Sequence, residues 1–232
     1  MVKLHPTVYL FDIDGTLIDG AGSGRRAMEA GFAEVTGIPD VLREIRFAGM
    51  TDPAIVRAGL RAAGREPGDD DALIDEVIEA YLARLPLEIA ATPGFRLHAG
   101  VVAVLAALAT RPSATIGLGT GNVERGARIK LEPLGVADDF AFGGFASDHE
   151  DRPTLIGIGA QRGCARLGCA RGDARIVVIG DTPKDVDAAT AIGAQCLAVA
   201  TSFFSVAELR AAGATLAVDA LSEPAALEYL WG

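Results

Sequence analysis

The 232-residue sequence has 21 basic residues against 31 acidic ones, leaving a net charge of −10, and only three of the basic residues are lysines. Such an acidic chain repels a polyphosphate backbone and an anionic lipid surface, so neither nucleic acid nor membrane is an expected partner. Cysteine is scarce and odd in number. Cys164 and Cys169 lie five apart, and Cys196 stands alone with no second pair to complete a zinc site, so all three read as small apolar residues. Long apolar runs are missing too: the longest, Val101 to Ala109, falls short of the ~18 residues a membrane helix requires. Pro6, Asp12 and Asp14 interrupt the apolar stretch that a secretory signal would need, and the expected compartment is the cytoplasm. No repeat or low-complexity tract is visible.

What is present is hydrophobic content of 50%, too high for a disordered chain, in a length that suits one large domain or a core with a smaller insert. Short apolar runs at Val8–Phe11, Ala114–Leu118, Phe140–Phe145, Arg175–Ile179, Gln195–Ala200 and Thr215–Val218 read as buried strands. Helical patterns near Leu97–Ala109, Val123–Leu134, Thr154–Leu167, Pro183–Ile192, Val206–Ala211 and Pro224–Leu230 alternate with most of them. Strand, helix, strand at this spacing implies parallel pairing by right-handed crossovers: an α/β fold with a doubly wound parallel sheet. Between the first strand and Pro93 the alternation stops. Three helical patterns, Gly24–Thr36, Asp52–Ala63 and Asp71–Leu85, follow one another without a strand. A segment of this length exceeds an ordinary βα connection. It is expected to form an all-helical cap domain over residues 20–91, hinged at Gly20–Gly24 and Ala91–Gly94, on a core built from residues 1–19 and 92–232.

Ligands of an open parallel sheet bind beyond the carboxyl ends of its strands. The first strand ends in Asp12, Ile13, Asp14, Gly15, Thr16; the second in Gly119, Thr120, Gly121, Asn122; a later one in Gly180, Asp181, Thr182, Pro183, Lys184, Asp185. Four acids thus converge. Their mutual repulsion is tolerable chiefly when a cation neutralises it, and a hard divalent ion completed by phosphate and water matches Mg²⁺. The Gly15 and Gly121 turns leave backbone N–H groups free to approach phosphoryl oxygens, and Thr120 adds a hydroxyl.

With these residues in place the sequence resembles the haloacid dehalogenase superfamily of phosphohydrolases, in the branch with a helical cap inserted after the first motif, close to phosphoglycolate-phosphatase-like enzymes. The first motif, DxDGT and a following Leu, stands at Asp12–Leu17. The second is Thr120, and the fourth is Gly180, Asp181 and Asp185. The resemblance implies a Mg²⁺-dependent phosphatase acting on a small phosphorylated metabolite, phosphoglycolate-like or a sugar phosphate. In that scheme Asp12 is the nucleophile that forms an aspartyl-phosphate and Asp14 the acid and then the base. Mg²⁺ is held by Asp12, the Asp14 carbonyl and Asp181, with Asp185 behind. Gly15, Thr16, Gly121 and Asn122 would line the phosphate and substrate.

The chain departs from the family pattern at the third motif, where a lysine is usual and Ser147–Pro153 offers Arg152. Arginine supplies fixed charge and a fork of donors rather than a point charge. Lys130, on the helix after Thr120, is the rival for this role, and Arg152 is preferred on motif position. Structural duties compete elsewhere: Thr182 and Asp185 fit a capping box, with Pro183 at the first helical position. Asn122 suits a helix N-cap, and His149 suits a surface loop. Substrate choice is left to the cap, where Arg25, Arg26, Arg46 and the Gly49–Asp52 turn are candidates. A phosphomutase of the same superfamily and a non-catalytic phospho-ligand-binding module are the alternative readings, and a monomer or homodimer is expected.

Overall fold

The computed structural model describes residues 5–66 and 71–231. In chain order its elements are β1 (Thr7–Phe11), β2 (Ile18–Asp19), α1 (Ser23–Thr36), α2 (Asp52–Ala62), α3 (Asp71–Ala90), β3 (Arg96–Leu97), α4 (Val101–Ala109) and β4 (Ala114–Gly119). There follow α5 (Glu124–Leu131), β5 (Gly143–Gly144), α6 (Arg152–Leu167), β6 (Arg175–Gly180), α7 (Pro183–Ala191), β7 (Gln195–Val199), α8 (Val206–Ala211), β8 (Leu216–Val218) and α9 (Pro224–Trp231). Six strands form one parallel sheet in the order β5-β4-β1-β6-β7-β8. The chain runs outward from β1 through β4 to β5, then returns to the other side of β1 and runs outward again. The strand order therefore reverses beside β1, the place where open α/β sheets bind ligands.

Strand alternation gives the sheet two apolar faces. Tyr9 and Phe11 of β1 point toward the layer of α4, α5 and α9, while Val8 and Leu10 point toward α6, α7 and α8. Helices α1, α2 and α3 bury a third cluster of their own, with Phe32, Leu60, Val77, Tyr81 and Leu85 at its centre. Val123 and Ala146 of the sheet portion pack against it. The closest approach within the insert is between α1 and α3. A Cβ on Gly31 would lie 2.6 Å from the Tyr81 nitrogen and 3.0 Å from the Ala80 carbonyl carbon. Among the described residues no helix is long and apolar enough to cross a membrane.

Three local expectations need correction. The helix expected from Leu97 starts at Val101, because Gly100 takes φ 89°, and Arg96–Leu97 instead pairs antiparallel with Ile18–Asp19. Both connections between sheet and insert thereby run through one two-stranded ribbon. The strand expected over Phe140–Phe145 shrinks to Gly143–Gly144, where a side chain on Gly144 would strike the Leu155 carbonyl. Helix α3 does not stop at Leu85: it continues through Pro86 to Ala90. Proline removes a backbone donor inside a helix, but Leu85 and Ile89 on either side of it are buried in the insert's cluster, and that packing offsets the lost bond.

Gly31→Ala provides a test of sign. Helix propensity alone would stabilise the alanine variant by about 1 kcal/mol; overpacking against the α3 backbone is expected to destabilise it by about 1–3 kcal/mol instead. Urea unfolding at unchanged m-value measures the difference, and a stabilised variant would contradict the contact.

Candidate active site

Asp12 follows β1 directly, Thr120 follows β4 and Asp181 follows β6, so the parallel register of three adjacent strands delivers these side chains to one point. All three are buried. Gly15 turns the chain at φ 82°, and a Cβ there would fall on the Asp181 carboxylate, so the position excludes other residues on both counts. Asp181 is held by the Thr16 hydroxyl at 3.1 Å and by Ser202.

Asp12, Asp181 and Asp185 each offer a carboxylate oxygen within 4.8 Å of the others. Burial, with repulsion among these acids, pushes the Asp12 carboxyl up to about 6 and that of Asp181 well above the usual range. One guanidinium faces the three: Arg152 Nη2 lies 2.5 Å from Asp185 Oδ1 and 3.0 Å from Asp12 Oδ2. Arg152 is the first residue of α6, where the helix dipole repels a cation. Asp151 at the N-cap, which accepts from the Thr154 N–H at 3.1 Å, and the buried carboxylates offset that repulsion. A compact set of buried oxygen donors carrying more negative charge than one arginine balances fits a hard divalent cation. Asp12 and Asp181 would hold it. Asp185 has less to give: Arg152 takes Oδ1, and the Thr182 N–H and hydroxyl take Oδ2 in a capping box at the start of α7.

A second charged group forms beside the first. Asp14 turns away from the cluster, and its Oδ2 accepts from Lys130 Nζ at 2.6 Å and Asn122 Nδ2 at 2.8 Å. Its side chain is half-exposed on the cavity; desolvation there raises the carboxyl, but the Lys130 ammonium and the Asn122 amide prevail and hold it below the ordinary aspartate value. Lys130 also donates to Asn122 Oδ1 at 2.6 Å. Although it is buried, the carboxylates around it and Tyr81 keep its ammonium charged. Asn122 is not the cap of α5; that position is Val123, and the Asn122 amide is spent on Asp14, Thr120 and Lys130. Arg152 and Lys130 thus sit on different aspartates.

The insert closes over these groups and leaves a cavity of about 420 Å³, lined on its side by Met28, Arg46, Phe47, Ile55 and Tyr81. That volume admits a small metabolite. Arg25 is occupied by the Leu42 and Ile45 carbonyls and stacks on Phe47, and Arg26 ties Glu88 and Thr92 at the far end of α3. Arg46 is exposed at the cavity wall. Gly49, Met50 and Asp52 face the site, whereas His149 is an exposed loop residue that accepts from the Asp151 N–H at 2.9 Å. Sequence reading missed Thr201 and Ser202, which bond Gly15 and Asp181 from the end of β7; the strand-end rule, applied to Val199, would have found them. It had no signal for Tyr81, which reads as an apolar position of α3.

The family model for haloacid dehalogenase-like hydrolases matches residues 6–193, and the chain belongs to that family. Solved structures of the same fold include β-phosphoglucomutase from Clostridium difficile, at 18% identity over 98% of this chain and 97% of that one with TM-score 0.71. CbbY from Rhodobacter sphaeroides in complex with phosphate aligns at 18% identity over 97% and 100%, TM-score 0.69. A predicted phosphoglycolate phosphatase from Haemophilus somnus aligns at 16% over 96% and 97%, TM-score 0.66. At these identities the likeness establishes the fold alone. No curated protein matches the sequence.

The loop that carries Arg152 is pinned by Asp148, which takes both Arg162 Nη atoms at 2.7 Å and the Phe145 N–H at 3.0 Å. Burial raises the Asp148 carboxyl, but these donors together outweigh it and hold its pKa below the ordinary aspartate value. A depressed folded pKa contributes stability above the unfolded value, lost as pH falls through the folded one. Asp148→Asn is therefore expected to cost up to about 1 kcal/mol at pH 6, the pair being partly exposed, and nothing once the wild-type carboxyl is protonated. Denaturant unfolding of both forms in steps from pH 6 downward checks this: the gap is expected to narrow as pH falls, and a gap that stays constant contradicts it.

Proposed function

We propose that this protein is a Mg²⁺-dependent phosphatase of small phosphate monoesters that works through an aspartyl-phosphate on Asp12. The observation that carries the reading is the convergence of Asp12, Thr120 and Asp181 at three adjacent strand ends, with Arg152 3.0 Å from the Asp12 carboxylate. Asp12 attacks phosphorus in line and displaces the alcohol, which takes a proton from Asp14; Lys130 and Asn122 hold that carboxyl ionised in the free protein, so it first takes up the proton of the substrate's monoanionic phosphate. Water then attacks the aspartyl-phosphate and gives its proton back to Asp14, so that Asp12 is regenerated and inorganic phosphate leaves. Dividing one displacement into two requires Asp12 to be ionised, and Arg152 favours that form. Mg²⁺, held by Asp12, Asp181 and the Asp14 carbonyl with Asp185 behind, would neutralise charge on the transferring phosphoryl group.

Gly15 and Gly121 line the cavity beside Asp12, and with Thr16 and Thr120, buried behind the cavity wall, they are assigned to the phosphoryl oxygens. Gly121 approaches so closely that a Cβ would strike the Met50 carbonyl. The ammonium of Lys130 is engaged with Asp14 and Asn122, and this favours Arg152 as the group that neutralises the nucleophile. The insert, residues 20–91, is assigned as a cap that excludes water and selects the leaving group. The cavity size supports a small metabolite, phosphoglycolate-like or a sugar phosphate.

Phosphate release from p-nitrophenyl phosphate and from a panel of phosphorylated metabolites tests the reading. Activity is expected with Mg²⁺ and not with EDTA, and Asp12→Asn should lose about three orders of magnitude or more. Arg152→Ala should lose more than Lys130→Ala on the aryl ester, whose departure needs little acid catalysis. Metal-independent hydrolysis, an active Asp12→Asn, or isomerisation of a sugar phosphate without phosphate release would contradict it.

A further inference from the structure

Asp52, the last residue of the Gly49–Asp52 turn and the first of α2, belongs to the insert yet is bonded to the sheet portion at two points. Its N–H donates to the Gly121 carbonyl at 2.8 Å, and its Oδ2 accepts the Val123 N–H at 2.8 Å. These two peptide groups flank Asn122. Helix α5 has no side-chain cap of its own, so a carboxylate from the insert takes the N–H at its start. The Asn122 side chain in turn donates to Asp14 at 2.8 Å and to Thr120 Oγ1 at 2.9 Å, and accepts from Lys130. The Asn122 carbonyl accepts from the Ala146 N–H at 3.0 Å and its N–H donates to Thr120 Oγ1 at 3.3 Å, so in each peptide unit beside Asn122 the core holds one group and the insert holds the other.

We infer that Asp52 is a positioning residue that couples closure of the insert to the acid–base carboxylate: its two bonds bracket Asn122, and Asn122 fixes Asp14. This rests on the phosphatase reading and adds to it the route by which the cap reaches the chemistry. When the insert lifts, both bonds break and the turn that orients Asn122 loses two of its restraints. When it closes, the turn is fixed and Asp14 is held for proton transfer. Binding of the leaving group under the insert and readiness of the acid then occur together, which is induced fit expressed through one carboxylate. Two other seam contacts do not share this geometry. Thr51 Oγ1 donates to the Glu150 carbonyl at 3.0 Å, and Arg57 pairs with the Glu150 carboxylate at 2.8 Å. Neither touches residues 120–123.

The experiment compares wild type, Asp52→Ala, Asp52→Asn and Arg57→Met, with steady-state kinetics on p-nitrophenyl phosphate and on the best metabolite found, and amide exchange of segment 120–124. Asparagine keeps an acceptor oxygen of the same reach, so the bracket survives without the charge. Asp52→Ala, which keeps the backbone bond to Gly121 and removes only the carboxylate bond, is expected to lose about 30- to 100-fold in kcat with KM changed less than about 3-fold, at or below the low end of what one positioned acid–base group contributes, with faster exchange at Val123. Asp52→Asn should recover to within about 5-fold of wild type with Val123 protected. Arg57→Met, which weakens the seam elsewhere, should turn over at the wild-type rate. Equal losses in Asp52→Ala and Asp52→Asn, a change confined to KM, or unchanged exchange at Val123 in Asp52→Ala would each overturn the coupling. If the wild type hydrolyses esters and Asp52→Ala does so equally well, the coupling alone fails; if the wild type releases no phosphate, the phosphatase reading fails and takes the coupling with it.

Discussion

The site is organised by electrostatic repulsion held in check. Parallel strands that end together at one edge place Asp12, Asp181 and Asp185 within 4.8 Å of one another out of water. At an effective dielectric constant of about 20, two unit charges 4 Å apart repel by roughly 4 kcal/mol, and burial adds several kcal/mol for each ion. Burial, and then repulsion among three carboxylates that one guanidinium cannot balance, make Asp12 and Asp181 resist ionisation. Stability is sacrificed at this edge so that a divalent cation and a phosphoryl group, on the proposed reading, find a site that improves on binding them.

Positive charge is divided in the same spirit. Arg152 stands on the side of Asp12, the proposed nucleophile, joined to Asp12 and Asp185, and Lys130 on the other, joined to Asp14 and Asn122. A forked, always-charged guanidinium can touch two carboxylates at once from the first turn of α6, as a lysine ammonium on one flexible stem does less well. Lys130 reaches Asp14 from α5 across the first turn of α1, where Gly24 leaves room: a Cβ there would lie 3.4 Å from Nζ. The two groups of charge therefore keep separate partners, and Asp14 is free of the three-carboxylate cluster that holds Asp12.

Much of this was legible in the residues. The DxDGT run, Thr120 and Gly180–Asp181 mark strand ends by composition alone, and the parallel sheet follows from alternation of short apolar runs with helical patterns. Chain geometry hides the rest. That Asn122 faces Asp14 rather than capping α5 depends on which residue of a four-residue turn takes the cap. That Arg25 at the cavity wall is tied to loop carbonyls while Arg46 beside it stands exposed depends on tertiary contacts among arginines alike in sequence. The Arg96–Leu97 strand is two residues long and is set by Gly100, whose left-handed φ ends any helix a periodicity count would extend. The role of Asp52 lies in two backbone bonds across the seam between insert and sheet, which no local pattern encodes.

The central claim, that the crowded carboxylates are arranged for a divalent cation, is tested most directly by calorimetric titration of the metal-free protein with Mg²⁺. The account predicts uptake of one ion per chain in wild type, accompanied by a rise in thermal stability, and loss of both on Asp181→Asn with the fold intact. Wild-type protein that takes up no Mg²⁺, or an Asp181→Asn variant that binds it equally well, would contradict the claim.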